Sequence, residues 1–300
     1  MKQLFYKVIY QPAINLALRS ANKVAAEIFP CVVKLPPSGK ITIHDSMKRP
    51  IVMYTNQTNY LTHLLYWEGG AMKFEYTSIF VELIKKINCF YDIGANIGYY
   101  SLLAASENPS MKIVGFEPAS GPLFYFRKNA AANHFSQIRI EPTALSDREG
   151  ELTFFEIKNK KYTFLEHNLA GESNAGSKTE GKNFVSVQVN STTLDNYTAQ
   201  HNELPDLIKM DTEGTEHFIL QHAEKVLSNA KPVIICETLF QTIESELEKV
   251  MKKHSYLFFN HVENGLKQTQ TLNRKEDNGV RNCFFVHPEK VHLIKEFIVS

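Results

Sequence analysis

Cysteine is scarce in this chain: Cys31, Cys89, Cys236 and Cys283 are the only four, and no two of them form a C-x-x-C pair. That argues against a disulfide framework. Three of the four stand in or beside apolar, strand-like runs and read as small buried hydrophobes in a reducing compartment. Cys236 and Cys283 could lie on neighbouring strands, with free thiols the favoured state. A surplus of charge is missing as well, since 33 lysines and arginines meet 32 acids for a formal net charge of +1. Without a basic field, nucleic acid is not an expected partner, and without an acidic one the chain is not expected to be disordered. No apolar run reaches the roughly 18 residues of a membrane span. The N-terminus shows neither a compact apolar segment nor a small-residue cleavage site, so no signal peptide is expected and the expected compartment is cytoplasmic.

What is present is 300 residues at 43% apolar composition, enough for one large domain or one domain with an appendage. The most informative stretch is Tyr91-Asp92-Ile93-Gly94-Ala95-Asn96-Ile97-Gly98-Tyr99-Tyr100-Ser101. Cys89 to Ile93 reads as a strand buried on both faces; glycines follow, and Tyr99 to Ala105 reads as a helix that stops near Pro109. A strand, a glycine turn and a helix bring a ligand against bare backbone and a helix N-terminus. The dinucleotide fingerprint G-x-G-x-x-G does not fit, because counted from Gly94 its second glycine falls on Asn96 and its third on Tyr99. A side chain at Asn96 obstructs a pyrophosphate, and Asp92 at the strand end repels one while suiting an ammonium group. The D-x-G-x-N-x-G loop that remains is better matched to the amino-acid end of S-adenosylmethionine.

Glu117 follows at the end of a second strand, Met111 to Phe116, which Pro118 terminates. A carboxylate there can accept both ribose hydroxyls of an adenosine. A third strand at Ile138 and Ile140 leads to Pro142-Thr143-Ala144-Leu145-Ser146-Asp147, where a doubly wound nucleoside site places the adenine. The main chain of Ala144 and Leu145, or the Asp147 carboxylate, can meet the ring edge; an ordinary Asp-containing turn is the alternative for Asp147.

Residues 1–88 read as an N-terminal cap and residues 89–300 as the main domain. In residues 1–29, Phe5, Val8, Ile9, Ala13, Leu16, Ala17, Ala21, Val24 and Ile28 form an apolar stripe beside Lys2, Lys7, Arg19 and Lys23. Packing of that stripe on its own domain or on a second subunit is the favoured expectation, with contact to a membrane surface the weaker one. Glu151 to Ile157 and Phe184 to Val189 alternate as strands, and the polar stretch between them is expected to face substrate. Strands at Leu207–Asp211 and Val233–Glu237 alternate with helices, and Tyr256–Phe259 with Cys283–Val286 suggests an antiparallel finish to a mostly parallel sheet. The expected fold is therefore α/β, a doubly wound, Rossmann-like sheet in its seven-stranded methyltransferase variant, with an antiparallel last strand. Pro288 is expected to open a short helix with Val291, Ile294 and Phe297 inward.

Ligands in such sheets bind outside the carboxyl ends of the strands, which here carry Asp92, Glu117, Asp211 and Glu237. Asp211-Thr212-Glu213-Gly214-Thr215-Glu216-His217 is the densest polar cluster on that rim, and Glu213 and His217 share a face if a helix begins at Glu213. Asp211 or Glu213 can take the proton of a substrate hydroxyl. The alternative is a divalent cation held by Asp211 and Glu237, although no metal ligand is predicted. Glu216 reads as an ordinary acid at a helix N-terminus.

Six motifs in order, Asp92–Ser101, Phe116–Pro118, Ala144–Asp147, Thr193–Tyr197, Leu207–Glu216 and Pro232–Glu237, closely resemble the FkbM-type family of S-adenosylmethionine-dependent methyltransferases over roughly residues 88–260. The resemblance implies O-methylation of a sugar or a small natural product, with cofactor contacts at Gly94, Asn96, Gly98 and Glu117. It assigns no base, so Asp211 and Glu213 rest on the residues themselves. The rival expectation is a protein of the same fold that binds S-adenosylmethionine without turnover.

Overall fold

The structure, a computed structural model, describes residues 2–29, 31–157, 171–172, 184–238 and 240–299. Two helices, α1 (Lys2–Ile9) and α2 (Pro12–Ile28), open the chain, with Pro12 at the first position of α2, where its missing N–H costs nothing. The antiparallel pair β1 (Gly39–His44) and β2 (Pro50–Thr55) follows, then α3 (Tyr60–Trp67) and α4 (Thr77–Ile84). The first buried unit is β3 (Cys89–Ile93), α5 (Tyr99–Glu107), β4 (Lys112–Phe116), α6 (Ser120–Ala132) and β5 (Ile138–Glu141). A small four-stranded sheet comes next, made of β6 (Ala144–Leu145), β7 (Gly150–Ile157), β8 (Gly171–Glu172) and β9 (Phe184–Thr192). The chain returns through α7 (Leu194–His201), β10 (Leu207–Met210), α8 (Glu216–Gln221), β11 (Val233–Glu237) and α9 (Glu244–Lys253). It closes with β12 (Leu257–Val262), β13 (Gly265–Thr269), β14 (Asn282–Val286) and β15 (Ile298–Val299).

The main sheet has nine strands in the order β15-β13-β12-β14-β11-β10-β3-β4-β5. Pairings from β5 to β11 are parallel, and β14 lies antiparallel between β11 and β12. Among the described residues the sheet is thus mixed, with five parallel and three antiparallel pairings, and nine-stranded rather than seven-stranded. The reason lies at Gly265, a tight turn at φ +144° that folds β13 back on β12, where β15 then pairs with it. Cys236 and Cys283 are register partners across β11 and β14, and both are free thiols.

Period-two alternation divides the central strands between two cores. Phe90, Ile113, Leu207 and Val233 face α4, α5 and α6, while Tyr91, Val114, Ile208 and Ile234 face α7, α8 and α9. Each such large side chain, removed from water, contributes about 1.5–3 kcal/mol. The first core also takes Phe80, Leu83 and Ile84 of α4 with Ile41, Ile51 and Met53 of the β1–β2 pair, so the N-terminal segment packs directly on the sheet.

Two expectations fail on local grounds. The apolar stripe of residues 1–29 does not pack on its own domain: Phe5, Leu16, Val24 and Ile28 are all more than half exposed. The side chains of α2 that turn inward are Asn15 and Arg19, because the adjoining extended chain offers carbonyls rather than an apolar surface. Asn15 donates to the Pro36 carbonyl at 3.2 Å and Arg19 to the Ser38 carbonyl at 3.0 Å. No helix begins at Glu213; its φ of 59° is left-handed and α8 starts at Glu216, so Glu213 and His217 share no helix face. The C-terminal expectation holds: Pro288 opens a short helical segment, in 3₁₀ form as Pro288–Leu293 and Lys295–Phe297, with Ile294 buried and Val291 and Phe297 packed against the first core. No helix among the described residues is long and apolar enough to cross a membrane.

Candidate active site

At the end of β3 the backbone turns left-handed at Gly94 (φ 71°), Asn96 (φ 52°) and Gly98 (φ 86°). Gly98 caps the start of α5 and lies so close to α6 that a Cβ there would fall 2.1 Å from the Phe126 ring. Asn96, one of the few residue types that tolerate this backbone, folds its side chain back on the loop. Its Oδ1 accepts from the Ile97 amide at 2.9 Å and from Asn59 Nδ2 at 3.1 Å, which ties the loop to the residue capping α3.

Glu117 is the acid that faces this loop. Its Oε2 accepts from the Asn96 amide at 2.8 Å and its Oε1 from the Ala119 amide at 2.9 Å. Burial outweighs both bonds and pushes the carboxyl up to about 7. Asp92 turns the other way. Its Oδ2 accepts from the Ser101 amide at 3.1 Å and hydroxyl at 2.7 Å inside the first turn of α5, while Oδ1 has no hydrogen-bond partner. Burial raises the Asp92 pKa, against the pull of Lys209 and Ser101.

A cavity of about 690 Å³ opens over the carboxyl ends of these strands. Gly94, Asn96, Glu117, Ala144 and Leu145 line one part of it, and Lys209, Asp211 and Glu213 another. Asp92 and Gly98 lie behind this wall rather than on it. Ala144 and Leu145 are fixed by β6, which runs parallel to β9 opposite Ser191 and Thr192. Asp147 and Arg148 lie just beyond, with 3.9 Å between their charged groups. Leu61, Phe74, Glu75 and Tyr76 of the N-terminal segment form a further wall, and Leu152, Thr153 and Phe154 of β7 add another. The polar stretch expected to face substrate, between Ile157 and Phe184, falls outside the described residues except for Gly171 and Glu172.

Two wall residues escape sequence reasoning. Lys209 is buried in the middle of the otherwise apolar β10, yet its Nζ reaches the Gly94 carbonyl at 3.2 Å, Asp211 Oδ2 at 3.5 Å and Asp92 Oδ1 at 3.8 Å. Burial alone would lower its pKa, but Asp211, Asp92, Glu75 and Glu237 prevail and hold it above the usual lysine value. The available signal was a lone lysine inside a fully buried strand, which requires an acidic partner. Glu75 is the other, a left-handed residue (φ 40°) whose Oε2 is 3.5 Å from the Tyr100 hydroxyl. Burial raises its pKa, with Lys209 opposing and Asp211 adding to the rise.

The rest of the acidic rim divides by role. Glu216 is buried at the first position of α8, the helix N-terminus expected of it, and accepts from the Thr212 amide at 2.6 Å ahead of the helix. Glu237 is pushed up by burial and then by the negative charges of Asp211, Glu213 and Glu216. Asp211 keeps its side chain 44% exposed, the geometry of a carboxylate that a substrate can reach. Among the described residues no group of three His, Cys, Asp or Glu side chains is arranged to hold a metal ion.

A family model, the methyltransferase FkbM domain, matches residues 92–258. The chain is 31% identical over 97 residues to the 31-O-demethyl-FK506 methyltransferase FkbM of Streptomyces tacrolimicus, a match covering 29% of this chain and 37% of that protein. Among solved structures, methyltransferase FkbM from Methylobacillus flagellatus aligns over 75% of this chain and 47% of its own, at 14% identity and a TM-score of 0.42. A SAM-dependent methyltransferase from Agrobacterium tumefaciens aligns over 84% and 71%, at 8% identity and a TM-score of 0.44.

Proposed function

The chain belongs to the FkbM methyltransferase family, and from its site we propose that it moves a methyl group from S-adenosylmethionine to a hydroxyl oxygen. The observation that carries this reading is that one cavity joins Glu117 and the Gly94–Asn96 loop to the reachable Asp211 carboxylate. Its volume of about 690 Å³ lies within the range of small-molecule sites, with room for a nucleoside and part of an acceptor. The nine-stranded sheet is consistent with a seven-stranded methyltransferase core from β5 to β12, with β13 and β15 added at its edge.

The residues fit the cofactor. Each Glu117 oxygen uses one acceptor site on a main-chain amide and retains another for a ribose hydroxyl. The main chain of Ala144 and Leu145 borders the space for the adenine, and the acids around Gly94 suit the cofactor's ammonium group. When bound, the cofactor supplies an electrophilic methyl group on a sulfonium. The protein then has to align an acceptor oxygen and remove its proton. We assign the proton to Asp211, with Glu213 beside it on the rim, and Lys209 keeps the Asp211 carboxylate oriented through their 3.5 Å contact.

The acceptor we propose is a carbohydrate or a small natural product rather than a nucleic acid. A net charge of +1 gives the chain no overall basic field to draw in a polyanion, and the cavity wall mixes aromatic rings with acids. The test is incubation with methyl-labelled S-adenosylmethionine and separated fractions of glycans, small metabolites, RNA and protein. Label in glycans or small metabolites supports the reading; label chiefly in RNA or protein overturns it. Tight cofactor binding with no transfer to any fraction would instead favour a non-catalytic binding protein.

A further inference from the structure

Asp92 is expected to meet the cofactor's ammonium group, and its surroundings prevent that. It is 1% exposed and lies behind the cavity wall, with Oδ2 taken by Ser101 and Oδ1 facing Lys209 Nζ at 3.8 Å. The Gly94 carbonyl is likewise taken, since it accepts from Lys209 Nζ at 3.2 Å. With the ribose at Glu117, on the end of β4, and the adenine at Ala144 and Leu145, just past β5, the cofactor has one direction left for its amino-acid end. In the sheet order that direction leads over the ends of β3 and β10, toward Lys209 and the wall formed by Glu75.

Glu75 is an acid of that wall with no cation of its own. Among the described residues, no lysine, arginine or histidine nitrogen comes within 4.0 Å of it. Its partners are neutral: the Tyr100 hydroxyl, 3.5 Å from Oε2, and the Asn282 side chain. Asp211 differs, because Lys209 already pairs with it at 3.5 Å, and Glu117 has each oxygen on a main-chain amide.

Rings on either side fix Glu75 in place. Phe74 meets the Tyr99 ring edge-on at 5.6 Å, and Tyr76 lies flat on Tyr100 at 5.1 Å. Tyr99 and Tyr100 open α5 directly after Gly98, so both anchors belong to the helix that follows the Gly94–Gly98 turn. Between them Glu75 takes a left-handed backbone (φ 40°), which a residue with a side chain adopts only where its surroundings hold it. Glu75 is open to the cavity, yet desolvation by the surrounding protein and then Asp211 oppose its charge, and Lys209 offsets only part of this. A cation arriving beside it supplies the missing compensation.

We propose that Glu75 accepts the α-ammonium group of S-adenosylmethionine, the role that the sequence suggests for Asp92, so that the segment ahead of β3 completes the cofactor site. This rests on the cofactor reading above.

Isothermal titration calorimetry of the full chain tests it with two probes, S-adenosylhomocysteine and its deaminated analogue, which lacks only the ammonium group. Glu75→Gln should weaken S-adenosylhomocysteine about 10- to 100-fold, the effect of losing a charged hydrogen-bond partner. The analogue should bind the wild type and Glu75→Gln with equal affinity, because the group that Glu75 holds is absent from it. Glu75→Gly, which suits the left-handed backbone, should show the same selective loss and carries the test if Glu75→Gln does not fold. Equal losses against both probes, or no loss against S-adenosylhomocysteine, would overturn the proposal while leaving the cofactor site in place. A wild type that binds neither probe would overturn the cofactor reading and this role together.

Discussion

Gly94 lies against the main chain of Asp211 so closely that a Cβ on it would fall 2.0 Å from the Asp211 carbonyl oxygen. The Gly94–Asn96 loop and the Asp211–Glu213 rim are therefore one packed unit: displacing either moves the other.

Gly94→Ala meets both this clash and a left-handed backbone (φ +71°), so it should destabilise the fold by more than about 1 kcal/mol. Because the strain falls on Asp211, transfer should drop further than the melting temperature alone accounts for. Chemical denaturation and initial rates on the same preparation check this.

Lys209→Met removes the cation that Asp92 and Asp211 share. A buried charge left without its partner costs about 3–5 kcal/mol, and the urea midpoint should fall accordingly. An unchanged midpoint would mean that the acids are neutralised by some other group.

Glu117 gives a pH signature. Its folded carboxyl titrates near 7, above the 4.5 of an unperturbed glutamate, so the native state holds a proton that the unfolded state has lost between those values. Stability from this group is full below pH 4.5 and falls as pH rises through 7, by about 3 kcal/mol in all. Hydroxyl donors of a bound ribose favour the ionised form, so affinity for S-adenosylhomocysteine should rise from pH 5.5 to 8 and then level off. Calorimetric titration at several pH values reads this directly, and Glu117→Gln should flatten the profile.

Asp211→Asn and Glu213→Gln should lower turnover by about 10²–10⁴-fold for whichever acts as the base, with cofactor affinity little changed. Loss of activity in chelator, restored by magnesium or manganese, would move the role of Asp211 from base to cation ligand. Full activity in both variants would remove this rim from the mechanism.

What the sequence made legible was local. The Gly94–Asn96–Gly98 turn, the strand-end Glu117 and the acid Glu216 at a helix N-terminus each depend on a few adjacent residues, and the structure has all three. Partnerships across the sheet were not legible. Lys209 acquires its meaning from Asp92 on a neighbouring strand and Glu75 from the N-terminal segment, neither near it in the chain. Periodicity misplaced α2 because it assumes that a helix buries its apolar face, whereas Asn15, Arg19 and Asn22 bind carbonyls and amides of residues 33–40. The left-handed Glu213, which ends any shared face with His217, has no signature except the glycine that follows it.

The cavity over Gly94 and Glu117 is the proposed site of S-adenosylmethionine. Thermal denaturation with S-adenosylmethionine, its demethylated product and NAD checks this. The melting temperature should rise with the first two and not with NAD, and the rise should be lost in Glu117→Ala, whose binding weakens by about 1–3 kcal/mol. A shift with NAD and none with S-adenosylmethionine would contradict it.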